Sequence, residues 1–167
     1  MTQTKQPPEI PGRFIGLPTG QLRRRAKVIF AGYASALLQR RSSIRLQMPG
    51  VRGSQGSNGW FKRNAYALLK LYVDSDLERE FLRQAISDGR RTTQADLEAN
   101  PFKVGLLALA SDNSISPSDR FEFGEQFLAA YQAEVEPEWL LAYLSQQGGP
   151  QRMIRERRAK DLTPQTG

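Results

Sequence analysis

The 167-residue chain contains no cysteine and no histidine. The first absence excludes disulfide scaffolds, thiolate nucleophiles, and zinc or iron–sulfur sites built on cysteine. The second excludes Ser-His-Asp and Cys-His machinery, proximal-histidine haem and any imidazole proton shuttle. Carboxylate–magnesium chemistry, a lysine-activated serine or a tyrosine would be left for catalysis. Such a chain is expected to bind rather than to catalyse, with no cofactor and no metal. Long apolar runs are also missing, none approaching the ~20 residues of a membrane span. The opening Met1-Thr2-Gln3-Thr4-Lys5-Gln6-Pro7-Pro8 has no apolar core of a secretory signal. A cytoplasmic protein with no membrane partner is therefore expected.

The last scarcity is of acid at one end. Residues 1–70 hold 13 Lys and Arg but a single acid, Glu9, for a charge of +12. Residues 71–150 hold 6 basic and 14 acidic groups (−8), and residues 151–167 hold 5 and 2 (+3). The net +7 and pI near 10.0 thus describe a polarised molecule, not a mildly basic one. A surface with that excess attracts polyanions. The 39% of apolar residues suffices for one core in one ordinary domain.

Patterning along the chain is helical. Pro7, Pro8, Pro11 and Pro18 preclude a long helix before residue 19, so residues 1–18 are expected as an extended arm. Thr19 is a plausible N-cap. Leu22, Ala26, Ile29, Tyr33 and Leu37 then recur at helical spacing, giving an amphipathic helix to about Arg40. Residues 42–59 carry Gly/Ser loop chemistry, with a short strand-like alternation at Ile44, Leu46 and Met48. A helix over Trp60–Val73 follows, with Asn58 as a possible cap and Phe61, Ala65, Leu68 and Tyr72 on one face. Ser75-Asp76-Leu77-Glu78 fits a capping box for a helix stopped by Gly89. Thr93 opens a short helical turn over Gln94–Ala99. Asn100-Pro101 and Ser116-Pro117 are further start signals. The helix behind Ser116 carries Phe121, Phe123, Phe127, Leu128 and Tyr131. A last helix begins at Pro137 and ends before Gly148-Gly149-Pro150. The expected fold is all-α: a compact helical bundle of about five to six helices over residues 19–150, with a basic Gly/Ser-rich loop, the extended N-terminal arm, and a basic tail at 151–167.

Arginine supplies nine of the 13 positive groups in the first seventy residues. Its planar fork binds phosphate bidentately and stacks on bases, which lysine does not. Arg23 and Lys27 share a helix face, and Arg24 lies opposite the apolar stripe. Arg40, Arg41, Arg45, Arg52, Lys62 and Arg63 surround the loop, with Trp60 at its end. These ten residues are the candidate nucleic-acid contacts. Neutralising about 6–10 phosphates would make affinity steeply salt-dependent, and an exposed Trp60 would add base stacking. Two other readings stand beside this one: the acidic half folds over the basic half and cancels it, or Trp60 is core and the loop a plain linker.

Other constellations point to structure. Asp74, Asp76, Glu78 and Glu80 resemble a magnesium cluster but fall at a helix N-terminus, where acids complement the macrodipole. Gly53–Gly59 lacks the Gly-Lys-Ser/Thr ending of a phosphate loop. Glu134, Glu136 and Glu138 form an acidic corner.

In size, helical content, basicity and missing catalytic groups the chain resembles the small helical subunits of CRISPR effector complexes. That resemblance implies a non-catalytic, RNA- or DNA-backbone-binding subunit of a ribonucleoprotein complex, lining its nucleic-acid channel; it implies no residue roles. On this reading nucleic acid binds the basic N-terminal half, and other subunits or copies of the chain pack on the acidic 71–150 region. Alternatives are a DNA-binding accessory or regulatory protein of a mobile element and a helical protein–protein adaptor.

Overall fold

The computed structural model describes residues 30–39, 57–110 and 115–147, together with Arg24, Lys27, Val28 and Arg41. The expected arm, the strand-like alternation at 44–48 and the tail lie outside the described residues. Among those described, every regular element is helical. The order is α1 (helical at 30–39 and at Arg24, Lys27, Val28 and Arg41), α2 (Ser57–Asp74), α3 (Arg79–Ser87), α4 (Gln94–Ala99), α5 (Pro101–Leu109), α6 (Pro117–Gln132), a 3-10 turn (Pro137–Trp139) and α7 (Leu140–Gln146).

α5 is the hub. Its sequence, Pro-Phe-Lys-Val-Gly-Leu-Leu-Ala-Leu, is apolar nearly all round, and such a helix must be enclosed. It touches α2, α3, α4 and α6, and Phe102, Val104, Gly105, Leu106, Ala108 and Leu109 are buried. α2 lies across it with Phe61, Ala65, Leu68 and Tyr72 fully buried, the face expected from their spacing. Gly105 is glycine because the helices touch there: an added Cβ would lie 2.7 Å from Leu69 Cδ2.

Two aromatic clusters join the helices. Phe30, Tyr72 and Phe81 hold α1, α2 and α3 together at centroid distances of 5.4–5.5 Å. Tyr66, Phe102, Phe127 and Tyr131 do the same for α2, α5 and α6 at 5.4–6.2 Å. Such pairs add about 0.5–1.5 kcal/mol each beyond their burial. The Tyr66 hydroxyl donates to the Val135 carbonyl at 2.8 Å, fixing the end of α6. Burial, and secondarily the hydrogen bond to Asp74, raises the Tyr131 hydroxyl to about 12.

The helix termini follow the sequence signals in three cases and depart from them in two. Thr93 and Asp96 form a reciprocal capping box. Asn100 caps α5, and the Ser116 hydroxyl accepts from Asp119 N at the start of α6. Ser75–Glu78, however, is not a capping box. Asp76 N donates to the Val73 carbonyl and Leu77 N to that of Tyr72, so these residues close α2 as a Schellman turn with Asp76 left-handed at φ 56°. Leu77 is buried, and burying it takes precedence over capping α3. The second departure is at α2, which begins at Ser57 rather than Trp60, so Asn58 lies within the helix instead of before it.

Asn100 donates its side-chain amide to the Gly124 carbonyl (3.1 Å) while its Oδ1 accepts from Phe102 N and Lys103 N. Asn100→Ala removes the α5 cap, leaving the Phe102 and Lys103 N–H groups without their acceptor, and cuts the tie to α6, so we expect a loss of about 2–4 kcal/mol in urea unfolding. Asn100→Ser, which keeps a capping oxygen but is shorter, should fall in between. Glu134 ends α6 at φ 57°, in the same turn that Gly89 makes after α3. Glu134→Gly should therefore stabilise by about 1 kcal/mol, read as a higher urea midpoint at unchanged slope.

Candidate nucleic-acid interface

The outward face of α1 is built by helical register. Arg24, Lys27, Val28, Ala31 and Ser35 are exposed, while Phe30, Tyr33, Ala34 and Leu37 are buried. Arg24 and Lys27 therefore point away from the aromatic cluster that anchors the helix. Lys27 borders a shallow groove between α1 and α3, shared with Phe30, Glu80, Arg83, Gln84 and Ser87. Arg83 is exposed and pairs with Glu80 one turn earlier. Arg79 is exposed on the same helix. The basic face thus continues from α1 onto α3, in the segment whose sequence is acidic overall. Sequence reasoning missed Arg79 and Arg83 because a segment's net charge conceals which side chains surface together.

Two candidates turn inward. Arg41 is 4% exposed, its guanidinium 5.1 Å from the Phe61 ring centroid. The signal was available, since Arg41 lies four residues beyond Leu37 and continues the apolar stripe. Lys62 is half-buried between α2 and α6, its ammonium 3.9 Å from Glu122 Oε1 and 4.7 Å from the Phe123 centroid. Burial lowers its pKa from the ordinary lysine range, with Glu122 and then Asp119 opposing. Arg63, next along α2, is exposed. Trp60 is half-buried against the core, and its carbonyl accepts from the Asn64 amide at 2.8 Å. Arg23, Arg40, Arg45 and Arg52 lie outside the described residues.

Among the described residues, two ion pairs join the oppositely charged halves. Lys62 reaches Glu122, and Lys70 reaches Asp74 at 2.6 Å with Tyr131 beside it. Among the described residues, no carboxylate comes within 4 Å of the cationic groups of Arg24, Lys27 or Arg63. Two of the four carboxylates that resembled a metal cluster are held by side chains and a third residue makes a turn through its backbone. Asp74 holds Lys70 and the Tyr131 hydroxyl, Asp76 makes the α2 turn, and Glu80 holds Arg83. No group of three or more potential metal ligands occurs among the described residues. No helix among them is long and apolar enough to cross a membrane.

Compared with known proteins, the chain matches no family model, no curated protein and no solved structure.

Lys62 gives a test of the inward cations. With its folded pKa below the unfolded value, the unfolded state binds more protons between the two, so its contribution to stability rises with pH through that window. Lys62→Met, which keeps the apolar stem, should be neutral or stabilising at pH 7. That advantage should shrink as pH is raised into the ordinary lysine range, as followed by urea midpoints.

Proposed function

We propose that the protein is a non-catalytic subunit that holds a nucleic-acid backbone, largely irrespective of sequence, on the basic face carried by α1, α2 and α3. The observation that supports this most directly is the outward placement of Arg24, Lys27 and Arg63, with no described carboxylate within 4 Å of their cationic groups, in a segment with 13 basic groups and one acid. Exposed arginines set against few acids give a polyanion both bidentate phosphate contacts and counterion release. Arg79 and Arg83 extend the same face. Arg41 and Lys62 belong to the packing beneath it and are left out of the contact set.

The same reading includes a protein contact through the acidic later helices. Glu134, Glu136 and Glu138 are exposed around Trp139, itself 61% exposed. An unburied Trp among carboxylates suits a basic neighbour, whether another subunit or the arginine-rich end of a second copy. A place in a ribonucleoprotein complex, such as the small subunit of a CRISPR interference complex, would use both faces at once.

The test is binding of a fluorescent single- or double-stranded oligonucleotide across a salt series. Arg24→Glu, Lys27→Glu and Arg63→Glu together should weaken binding by tenfold or more. They should also flatten the slope of log affinity against log salt by about one unit for each phosphate no longer neutralised, with helical content unchanged by circular dichroism. Unchanged affinity in the correctly folded triple variant refutes the proposal. A preference for one sequence that survives high salt would favour an operator-binding regulator instead.

A further inference from the structure

Trp139 stands where the 3-10 turn passes into α7, with 61% of its surface exposed. The helix it opens turns Leu140 and Leu144 into the core and leaves Ala142, Ser145 and Gln146 facing water. Its sequence, Leu-Leu-Ala-Tyr-Leu-Ser-Gln, carries no charge, so the outward face running from Trp139 to Gln146 is neutral. Acid is gathered at the upstream end of that face. Glu134, Glu136 and Glu138 are all exposed, and among the described residues no cationic group lies within 4 Å of their carboxylates. Stacked on an exposed indole, a guanidinium gains about 0.5–1 kcal/mol, and about 2 where water is excluded. Three carboxylates beside the ring add the matching charge.

The described residues run to Gln147, and the sequence that follows has the complementary chemistry. Residues 151–167 carry Arg152, Arg155, Arg157, Arg158 and Lys160 against Glu156 and Asp161, a charge of +3 to set against the three glutamates. Met153 and Ile154 lie within that run and supply apolar side chains for the indole. Reach is not limiting. α7 takes the chain only about 10 Å away from Trp139, while the eight residues from 148 to Arg155 can span up to about 27 Å. A segment tethered so closely meets the corner at an effective concentration in the millimolar range. A second copy, whose arginines offer the same chemistry, has to arrive by diffusion at its own, lower concentration.

We propose that the basic segment 151–167 docks on the Trp139 corner of its own chain, its arginines pairing with Glu134, Glu136 and Glu138 and stacking on the indole. The contact does not depend on the nucleic-acid reading of the α1 face. It makes the segment an intramolecular competitor for the corner, which any basic neighbour must displace.

The test reads Trp139 by fluorescence in the full chain carrying Trp60→Phe, which leaves Trp139 as its single tryptophan. Acrylamide, being neutral, quenches the ring without sensing the charge around it. Docking should protect the ring, so that the quenching constant of this parent is about half or less of that with Arg155→Glu, Arg157→Glu and Arg158→Glu together, or with Glu134→Lys, Glu136→Lys and Glu138→Lys together. Molar salt should raise the parent to the same level, as the screening length falls to about 3 Å. Combining the two sets reverses both charges at once and should restore protection, which separates loss of the contact from loss of folding. Equal quenching in the parent and both variants overturns the proposal, as does a combined variant that keeps its helical content without regaining protection. Protection that rises with protein concentration also overturns it, because the corner then belongs to a second copy. Oligonucleotide binding by the triple α1/α2 variant is scored separately: if it persists while Trp139 is protected, the proposed function fails and the docking stands.

Discussion

One buried amide orders the later half of the molecule. Asn100 ends α4, with its N–H on the Asp96 carbonyl. Its Oδ1 caps α5, and its Nδ2 binds the backbone of α6 at Gly124. Three helices meet on one residue, whose side-chain oxygen and nitrogen are both used, and an apolar residue of that size would leave the α5 N–H donors stranded in the interior. The close approach it fixes requires glycine at 124, since any Cβ would collide with Lys103. With α6 held in that register, Phe123 and Phe127 enter the core.

The cations divide by chemistry as much as by position. Lys62, Lys70 and Lys103 each lie over a ring of α6, at Phe123, Tyr131 and Phe121 respectively, and each meets a carboxylate. A lysine stem covers apolar surface while its ammonium sits on a ring face, a contact of about 0.5–2 kcal/mol. These three lysines clamp α6 onto α2 and α5. Among the described residues the exposed cations are Arg24, Lys27, Arg63, Arg79, Arg83 and Arg91. Arginine predominates at the described surface, where Lys27 joins it, while Arg41 is buried against Phe61.

Much of the architecture was legible in the residues. Periodicity placed the face of α2 and, at Tyr33 and Leu37, that of α1, and Thr93, Asn100-Pro101 and Ser116-Pro117 marked three helix starts by local chemistry. The Ser75–Glu78 motif misled because one tetrapeptide can cap the helix after it or end the helix before it, and only the burial of Leu77 decides. Phe121 and Trp139 carried apolar signals yet stand exposed at 42% and 61%. A residue's apolarity does not say whether a neighbour covers it. The candidate interface was legible as a charge imbalance but not as a surface. Separating Arg41 and Lys62 from Arg24 and Arg63 needs the helix register and the position of α6, which follows from Asn100 and Gly124 rather than from any pattern of charge.

That separation bears on why the imbalance can persist. Exposed cations such as Arg24 and Lys27 add or remove little stability, ~0–1 kcal/mol even when paired, and their mutual repulsion is screened within about 10 Å at moderate salt. The core beneath them is closed by rings, Asn100 and two close-packed glycines, none of which senses the surface charge directly. Segregating positive charge on α1 therefore costs the fold little, and a partner rather than stability can set its distribution. The buried cations have no such freedom: Lys62 and Lys103 are tied to Glu122 and Glu125, so a change in either partner reaches α6 at once. Charge in this molecule is adjustable where it faces water and fixed where it faces α6.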